Sequence, residues 1–206
     1  MKQFKTSQEE FWAGTFGVDY VSRNKSQEYL ASSLNFFSKA LKCVGKLTSC
    51  VEFGANIGLN LKSLQLLYPN ISLKGIEINQ FAAEELSTVI GAENVFNGSI
   101  FDYKIDEKVD LSLIKGVLIH INPDELDVVY AKLYDSTTKY ILIGEYFNTT
   151  PVTINYRGHN DRLFKRDFAG EMLDKYSDLK LVDYGFVYSR DVAFPQDDIT
   201  WFLLSK

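Results

Sequence analysis

Short apolar runs bounded by Gly, Asn or Asp alternate along the chain with stretches whose apolar residues recur at helical spacing. Strands are predicted at 48-TSCVEFG-54, 72-SLKGIEIN-79, 94-NVFNG-98, 109-VDLSLIKG-116 and 139-KYILIGEYF-147. These runs are apolar on both faces, which suits parallel strands covered on both sides. Between them, 59-LNLKSLQLLY-68 sets Leu61, Leu64 and Leu67 on one helix face and must stop near Pro69. At 122-NPDELDVVYAKLY-134, Asn122 is an N-cap, Pro123 takes the first helical position and Glu125 completes a variant of the capping box. The end of the chain departs from this alternation. After a helix over 168–176, the runs 179-LKLVDYGFVYS-189 and 199-ITWFLLSK-206 flank a Pro-Gln-Asp-Asp turn and predict a closing hairpin. Strands alternating with helices mean βαβ units, so an α/β Rossmann-like doubly wound sheet is expected, in one domain over 1–206 with a helical cap over 1–45. There is no repeat, low-complexity tract or linker.

Composition narrows the function. With 22 basic against 27 acidic residues the net charge is −5, so a broad basic footprint for nucleic acid is lacking. The start, MKQFKTSQEE, has no apolar signal core, and no run approaches membrane-spanning length. Two cysteines, Cys43 and Cys50, and two histidines, His120 and His159, are too few for a zinc centre or a disulfide framework. The expectation is a cytoplasmic protein with no metal, no membrane partner and no nucleic acid.

The chemistry concentrates in 51-VEFGANIGLN-60, at the first strand-to-helix turn, where open α/β sheets bind ligands. Gly54 and Gly58 let backbone approach a ligand, and Ala55 is nearly as small. A pyrophosphate site would have GxGxxG, but here the spacing is Gly54-Ala-Asn-Ile-Gly58, and Glu52 ahead of it would repel phosphate. Glu52 suits a ligand with an ammonium instead. Glu77, at the end of the second strand, is placed to accept from both hydroxyls of a ribose. A cationic amino acid joined to a nucleoside satisfies both acids, which points to S-adenosylmethionine.

The ExGxxxG pattern followed by an acid at the next strand end resembles the class I methyltransferase fingerprint. The stretches 11-FWAGTFGVDYVSRN-24, 116-GVLIHINPDEL-126 and 145-EYFNTTPVTINYRGHNDRLFKRDF-168 resemble the methylases associated with pseudaminic acid biosynthesis, over essentially the whole chain. The resemblance implies a seven-stranded sheet with the last strand antiparallel, S-adenosylmethionine as donor and a sugar or sugar-nucleotide acceptor. Glu52, Gly54, Ala55, Asn56 and Gly58 would shape the donor site, with Glu77 and Ile78 at the ribose. Ser99 and Ile100 would lie near the adenine. Ser99 stands where many relatives have an acid, so Asp102 either takes that contact or caps a turn. Lys115 and Gly116 end the fourth strand, beside the methyl-transfer position or as a solvated strand terminus.

Two readings stand for the N-terminal aromatics. Phe11, Trp12, Phe16 and Tyr20 form either a buried helix face or a lid over the donor. In the lid, Arg23 would grip the methionine carboxylate through its planar fork. His120 is either a base for the acceptor or a core histidine satisfied by backbone, since Ile119 and Ile121 flank it. Glu145, Tyr156 and His159 are further acceptor-side candidates, and His159 reads equally as an exposed loop residue. Arg157, beside Gly158, would hold an anionic acceptor. Lys165 and Arg166 read as the solvated side of a helix start capped by Asp167. A nucleic-acid methylase is disfavoured because IHINPDE lacks the aromatic-ended N/D-P-P-Y/F motif. A non-catalytic methyltransferase-like protein that binds a nucleoside or a partner is the alternative of a different class.

Overall fold

The computed structural model describes residues 4–22 and 26–206, with backbone alone at 19–22. The strands are β1 Ser49–Phe53, β2 Ser72–Glu77, β3 Val95–Asn97, β4 Val109–Lys115, β5 Thr137–Glu145, β6 Val152–Tyr156, β7 His159–Lys165, β8 Lys180–Val187 and β9 Ile199–Ser205. Seven of them form one sheet in the order β3-β2-β1-β4-β5-β9-β8. Pairing is parallel from β3 to β5, while β9 runs antiparallel to both β5 and β8. The expected doubly wound sheet with a closing hairpin is therefore present. The chain order reverses between β1 and β4, and the crevice of such a sheet opens there at the carboxyl ends of the strands.

The helices are α1 Ser7–Ala13, α2 Thr15–Ser22, α3 Gln27–Ala40, α4 Leu59–Leu67, α5 Gln80–Ile90, α6 Leu126–Asp135 and α7 Phe168–Lys175. Successive strand side chains point to opposite faces, and two cores follow from this. Cys50, Leu111, Leu113, Leu142 and Leu203 pack with Phe36, Phe37, Leu61, Leu64 and Leu86 of α3, α4 and α5. Val51, Phe53, Ile114, Ile141, Ile143 and Leu204 pack with Leu126, Val129, Leu133, Phe168 and Met172 of α6 and α7. Each such side chain contributes about 1.5–3 kcal/mol on leaving water. Cover ends at the outer strand, where Val182, Tyr184 and Phe186 of β8 stay exposed.

Several local features differ from the sequence expectation. The helix expected at 59–68 ends in an exposed Leu67, while Leu61 and Leu64 are buried. Asn122 does cap Pro123–Glu125, but as a 3-10 turn leading into α6, and Glu125 pairs with Lys5 Nζ at 2.5 Å. The largest difference is an antiparallel β6–β7 hairpin outside the main sheet, where no strand is expected from the sequence. Arg157 (φ 51°) and Gly158 (φ 85°) both take left-handed conformations, which makes the tight two-residue turn that matches strand twist. Asp167 caps α7 as expected, accepting from the Gly170 amide. Lys165 instead ends β7, and Arg166 pairs with Glu171 at 2.7 Å.

Candidate active site

The turn after β1 is held open by its backbone. Gly54, Asn56 and Gly58 have φ of 77°, 50° and 83°, alternating left-handed residues before α4 begins. Gly54 is also crowded: a Cβ there would lie 2.5 Å from Val117 Cγ2. The Asn56 amide donates to Glu77 Oε2 at 2.8 Å, and the Asn79 amide donates to Glu77 Oε1 at 2.7 Å. Glu77 thus fastens the loop to the end of β2. Burial raises the Glu77 carboxyl above its ordinary value, opposed by those backbone amides.

Glu52 is fully buried and faces α4. Its Oε1 accepts from Asn60 Nδ2 at 2.6 Å, and Asn60 Oδ1 in turn accepts from Ser33 Oγ at 3.2 Å. The other oxygen, Oε2, has no partner, and neither has the buried Asn56 Oδ1. Burial pushes the Glu52 carboxyl up to about 8, with Asn60 and Lys115 pulling against it. Leaving a buried acceptor unsatisfied costs about 1–3 kcal/mol, and more when it is charged. Two such acceptors at one turn fit a ligand that brings N–H donors and a positive charge.

Beyond the ends of β2 and β3 lies a cavity of about 590 Å³. Ile78, Gly98, Ser99 and Asp102 line it from the sheet, and Lys5 and Glu9 line it from the N-terminal side. Ser99 Oγ accepts from the Phe101 amide at 3.0 Å, while Asp102 is exposed. Ile100 is turned into the core beside α6 and α7 instead of lining this cavity. Asn79 ties α1 down, since its Nδ2 donates to the Trp12 carbonyl at 3.1 Å while its Oδ1 caps α5.

Across the crevice, β4 ends in Lys115 and Gly116. Burial pushes the Lys115 ammonium down, and it rests 5.3 Å from the Phe36 ring centre. Gly116 (φ 68°) faces open space. Both Val117 and Leu118 amides donate to Glu145 Oε1 at 2.9 Å. Burial pushes the Glu145 carboxyl up to about 7. Its work is to cap the 3-10 turn Leu118–His120 and so to position His120.

His120 Nδ1 lies 2.6 Å from the Arg162 carbonyl oxygen. A carbonyl only accepts, so Nδ1 carries the proton and Nε2 holds the lone pair. Burial pulls this imidazole down to about 4, which keeps it neutral at physiological pH. The contact satisfies Nδ1 with backbone, as in the core-histidine reading, and leaves Nε2 with its lone pair. Trp12 packs 4.6 Å and Tyr156 5.4 Å from it, centre to centre.

The N-terminal aromatics pack against one another and against the hairpin. Phe11 stacks on Phe16 at 4.3 Å and meets His159 of β7 at 5.2 Å. Gln8 Nε2 donates to the Asp161 carbonyl at 2.9 Å, and Arg162 donates to Ser7 Oγ at 3.1 Å. The helix and hairpin form one aromatic strap across the crevice, with Arg157 exposed at its tip, 5.5 Å from the Phe16 ring. Arg23 lies outside the described residues, and of Tyr20 only the backbone is described, within α2. Sequence reasoning missed Glu9 and Asn79. Glu9 was legible as the fourth residue of the capping box Thr6–Glu9, and Asn79 as the cap of a helix over 80–90 that went unread.

Among the described residues no cluster of His, Cys, Asp and Glu is arranged to hold a metal, and no helix is long and apolar enough to cross a membrane.

No protein-family profile and no curated protein sequence matches the chain. Solved structures do. Magnesium protoporphyrin IX methyltransferase from Synechocystis PCC 6803 with bound S-adenosylhomocysteine superposes with a TM-score of 0.69 at 12% identity, covering 98% of this chain and 100% of that one. For 1,6-didemethyltoxoflavin-N1-methyltransferase from Burkholderia thailandensis the TM-score is 0.69 at 15% identity, over 100% and 93%. Mitomycin 7-O-methyltransferase gives 0.67 at 14% identity over 98% of this chain, which spans only 61% of that longer protein. The chain has the class I methyltransferase fold. These neighbours are named for a porphyrin, a didemethyltoxoflavin and a mitomycin, so the likeness carries the fold and no acceptor.

Proposed function

We propose that this chain is an S-adenosylmethionine-dependent methyltransferase acting on a small, polar, anionic acceptor, a nonulosonic-acid-type sugar or its precursor. The observation that carries the donor half is the partnerless Glu52 Oε2, buried near the end of β1 ahead of the turn, where a ligand ammonium would lie. The residues present fit the donor. Glu52 and Asn56 would accept from its ammonium, Glu77 from the ribose hydroxyls, and the cavity beside Ile78 would take the base. When bound, S-adenosylmethionine supplies an electrophilic methyl group on a sulfonium.

The protein's own part is placement and proton handling. The Arg162 carbonyl fixes the His120 tautomer, and Nε2 accepts the proton given up by the acceptor hydroxyl or amine. Trp12, Phe16 and Tyr156 wall that space with rings and keep water from competing. Arg157 at the hairpin tip draws the acceptor's anionic group, with His159 beside it on β7. Holding both reactants in line supplies a large part of the rate.

The test has two stages. Calorimetry with S-adenosylhomocysteine should show one site per chain, lost in Glu77→Ala. Mass spectrometry of carboxylated sugars and sugar nucleotides incubated with donor should then show a single added methyl group. Donor binding with no transfer to any anionic acceptor would sink the acceptor half, and absence of donor binding would sink the whole.

A further inference from the structure

Glu9 carries more charge than its structural task needs. It is 8% exposed, and its Oε2 accepts from the Lys5 amide at 2.8 Å and the Thr6 amide at 3.1 Å. Together with the Thr6 hydroxyl, which accepts from the Glu9 amide at 3.2 Å, this makes the capping box of α1. A glutamine would close that box as well, through its single oxygen. Yet the chain has a second oxygen here, Oε1, buried with no hydrogen-bond partner on a residue that lines the 590 Å³ cavity. A buried acceptor of this kind is costly unless a donor arrives with a ligand.

The rest of the wall narrows what that donor is. Ser99 already spends a lone pair on the Phe101 amide, and Asp102 is exposed, so water competes for it. Ile78 and Phe96 supply apolar surface for a flat ring. A planar heterocycle whose edge presents an amine satisfies these groups together. We infer that Glu9 Oε1 accepts from the exocyclic amine of the donor's adenine and sets the choice of adenine over hypoxanthine. This rests on the donor reading above and assigns the base end of that site. Hypoxanthine has a carbonyl where adenine has the amine. It would bring an acceptor against a carboxylate, which the site rejects because neither group can donate.

Glu9→Gln tests this sharply. The Lys5 and Thr6 amides need an acceptor, so the glutamine oxygen takes the Oε2 position and its NH₂ takes that of Oε1. A donor then faces the base edge, and the preference should reverse. Affinities of purified wild type and variants for S-adenosylhomocysteine and S-inosylhomocysteine are compared by calorimetry. Wild type should favour the adenine compound by roughly ten- to a hundredfold, the range of one hydrogen bond to a charged group. Glu9→Gln should bind that compound about tenfold more weakly and the hypoxanthine compound more tightly than wild type does. Glu9→Ala should lose both the bond to adenine and the repulsion of hypoxanthine and so bring the two affinities together, whereas a purely structural role would weaken both alike and leave the preference.

An unchanged preference in Glu9→Gln overturns the inference, as does a shift confined to Asp102→Asn, which would assign the amine to Asp102. Equal affinity of wild type for the two compounds overturns it and leaves the donor reading standing. Wild type that binds neither compound removes the donor reading, and this inference with it.

Discussion

Raising the pH should tighten donor binding, and the slope should belong to Glu52. Burial holds this carboxyl at about 8 in the ligand-free protein, while a ligand ammonium needs the carboxylate. Roughly a hundredth of the chains carry that carboxylate near pH 6 and about half near pH 8. Affinity for S-adenosylhomocysteine should therefore rise about fiftyfold between those two values, or roughly 2.3 kcal/mol. Near pH 7, binding should release about 0.9 proton, read from calorimetric enthalpies in two buffers of different ionisation heat. Glu145, pushed up to about 7, titrates in the same window, and Glu77 is also raised. Both remain in Glu52→Gln, so the difference between the proteins isolates Glu52. The variant should bind more weakly, with most of the slope gone. A wild-type affinity that is flat from about pH 6 to pH 8, or an equal slope in the variant, would refute the reasoning.

The same groups act on the ligand-free fold. Glu52 and Glu145 are raised above the ordinary 4.5, so their stabilising contribution is full below that value and lost as pH climbs through about 7 and 8. The Tm of the ligand-free protein should fall across that range, less so in Glu52→Gln. Gly54→Ala combines a φ of 77° with a Cβ 2.5 Å from Val117 Cγ2, and urea titration should show a loss exceeding about 1 kcal/mol. His120→Gln should lower kcat by roughly ten- to a hundredfold, less than a base matched to neutral pH would supply, with donor affinity retained. Since His120 is held at about 4, the wild-type rate should show no histidine step between about pH 6 and pH 8. Arg157→Ala should raise the acceptor KM and leave donor affinity nearly unchanged, because it removes binding common to ground and transition state. A wild-type KM in that variant would remove the anionic grip.

The main sheet was legible because its strands are short apolar runs that end in Gly, Asn or Asp, and burial on two faces leaves no other reading. Glu52 and Glu77 drew notice as acids at strand ends, and the structure buries the first against Asn60 and ties the second to the Asn56 amide. The β6–β7 hairpin was not, although 152-VTINYRGHNDRLFK-165 alternates Val152, Ile154 and Tyr156 up to an Arg-Gly turn. A surface hairpin has no second apolar face to lengthen its signal, and Arg157 is an unusual residue for a left-handed position. The helix α5 was missed because 80-QFAAEELSTVI-90 starts at a cap, Asn79, that also belongs to the strand end. The His120 tautomer was beyond reach, since it depends on the Arg162 carbonyl, 42 residues away in the chain.

The helix α1 touches three things at once: the cavity through Glu9, His120 through Trp12 and the hairpin through Gln8. Its seating on the first helps build the wall of the second, and this imposes a sequence in time. Steady-state turnover should follow a compulsory order, in which the nucleoside enters first and its demethylated product leaves last. That product should then inhibit competitively against the donor and non-competitively against the acceptor. At saturation, the opening of seven residues of helix, rather than the chemistry they enclose, would set the pace.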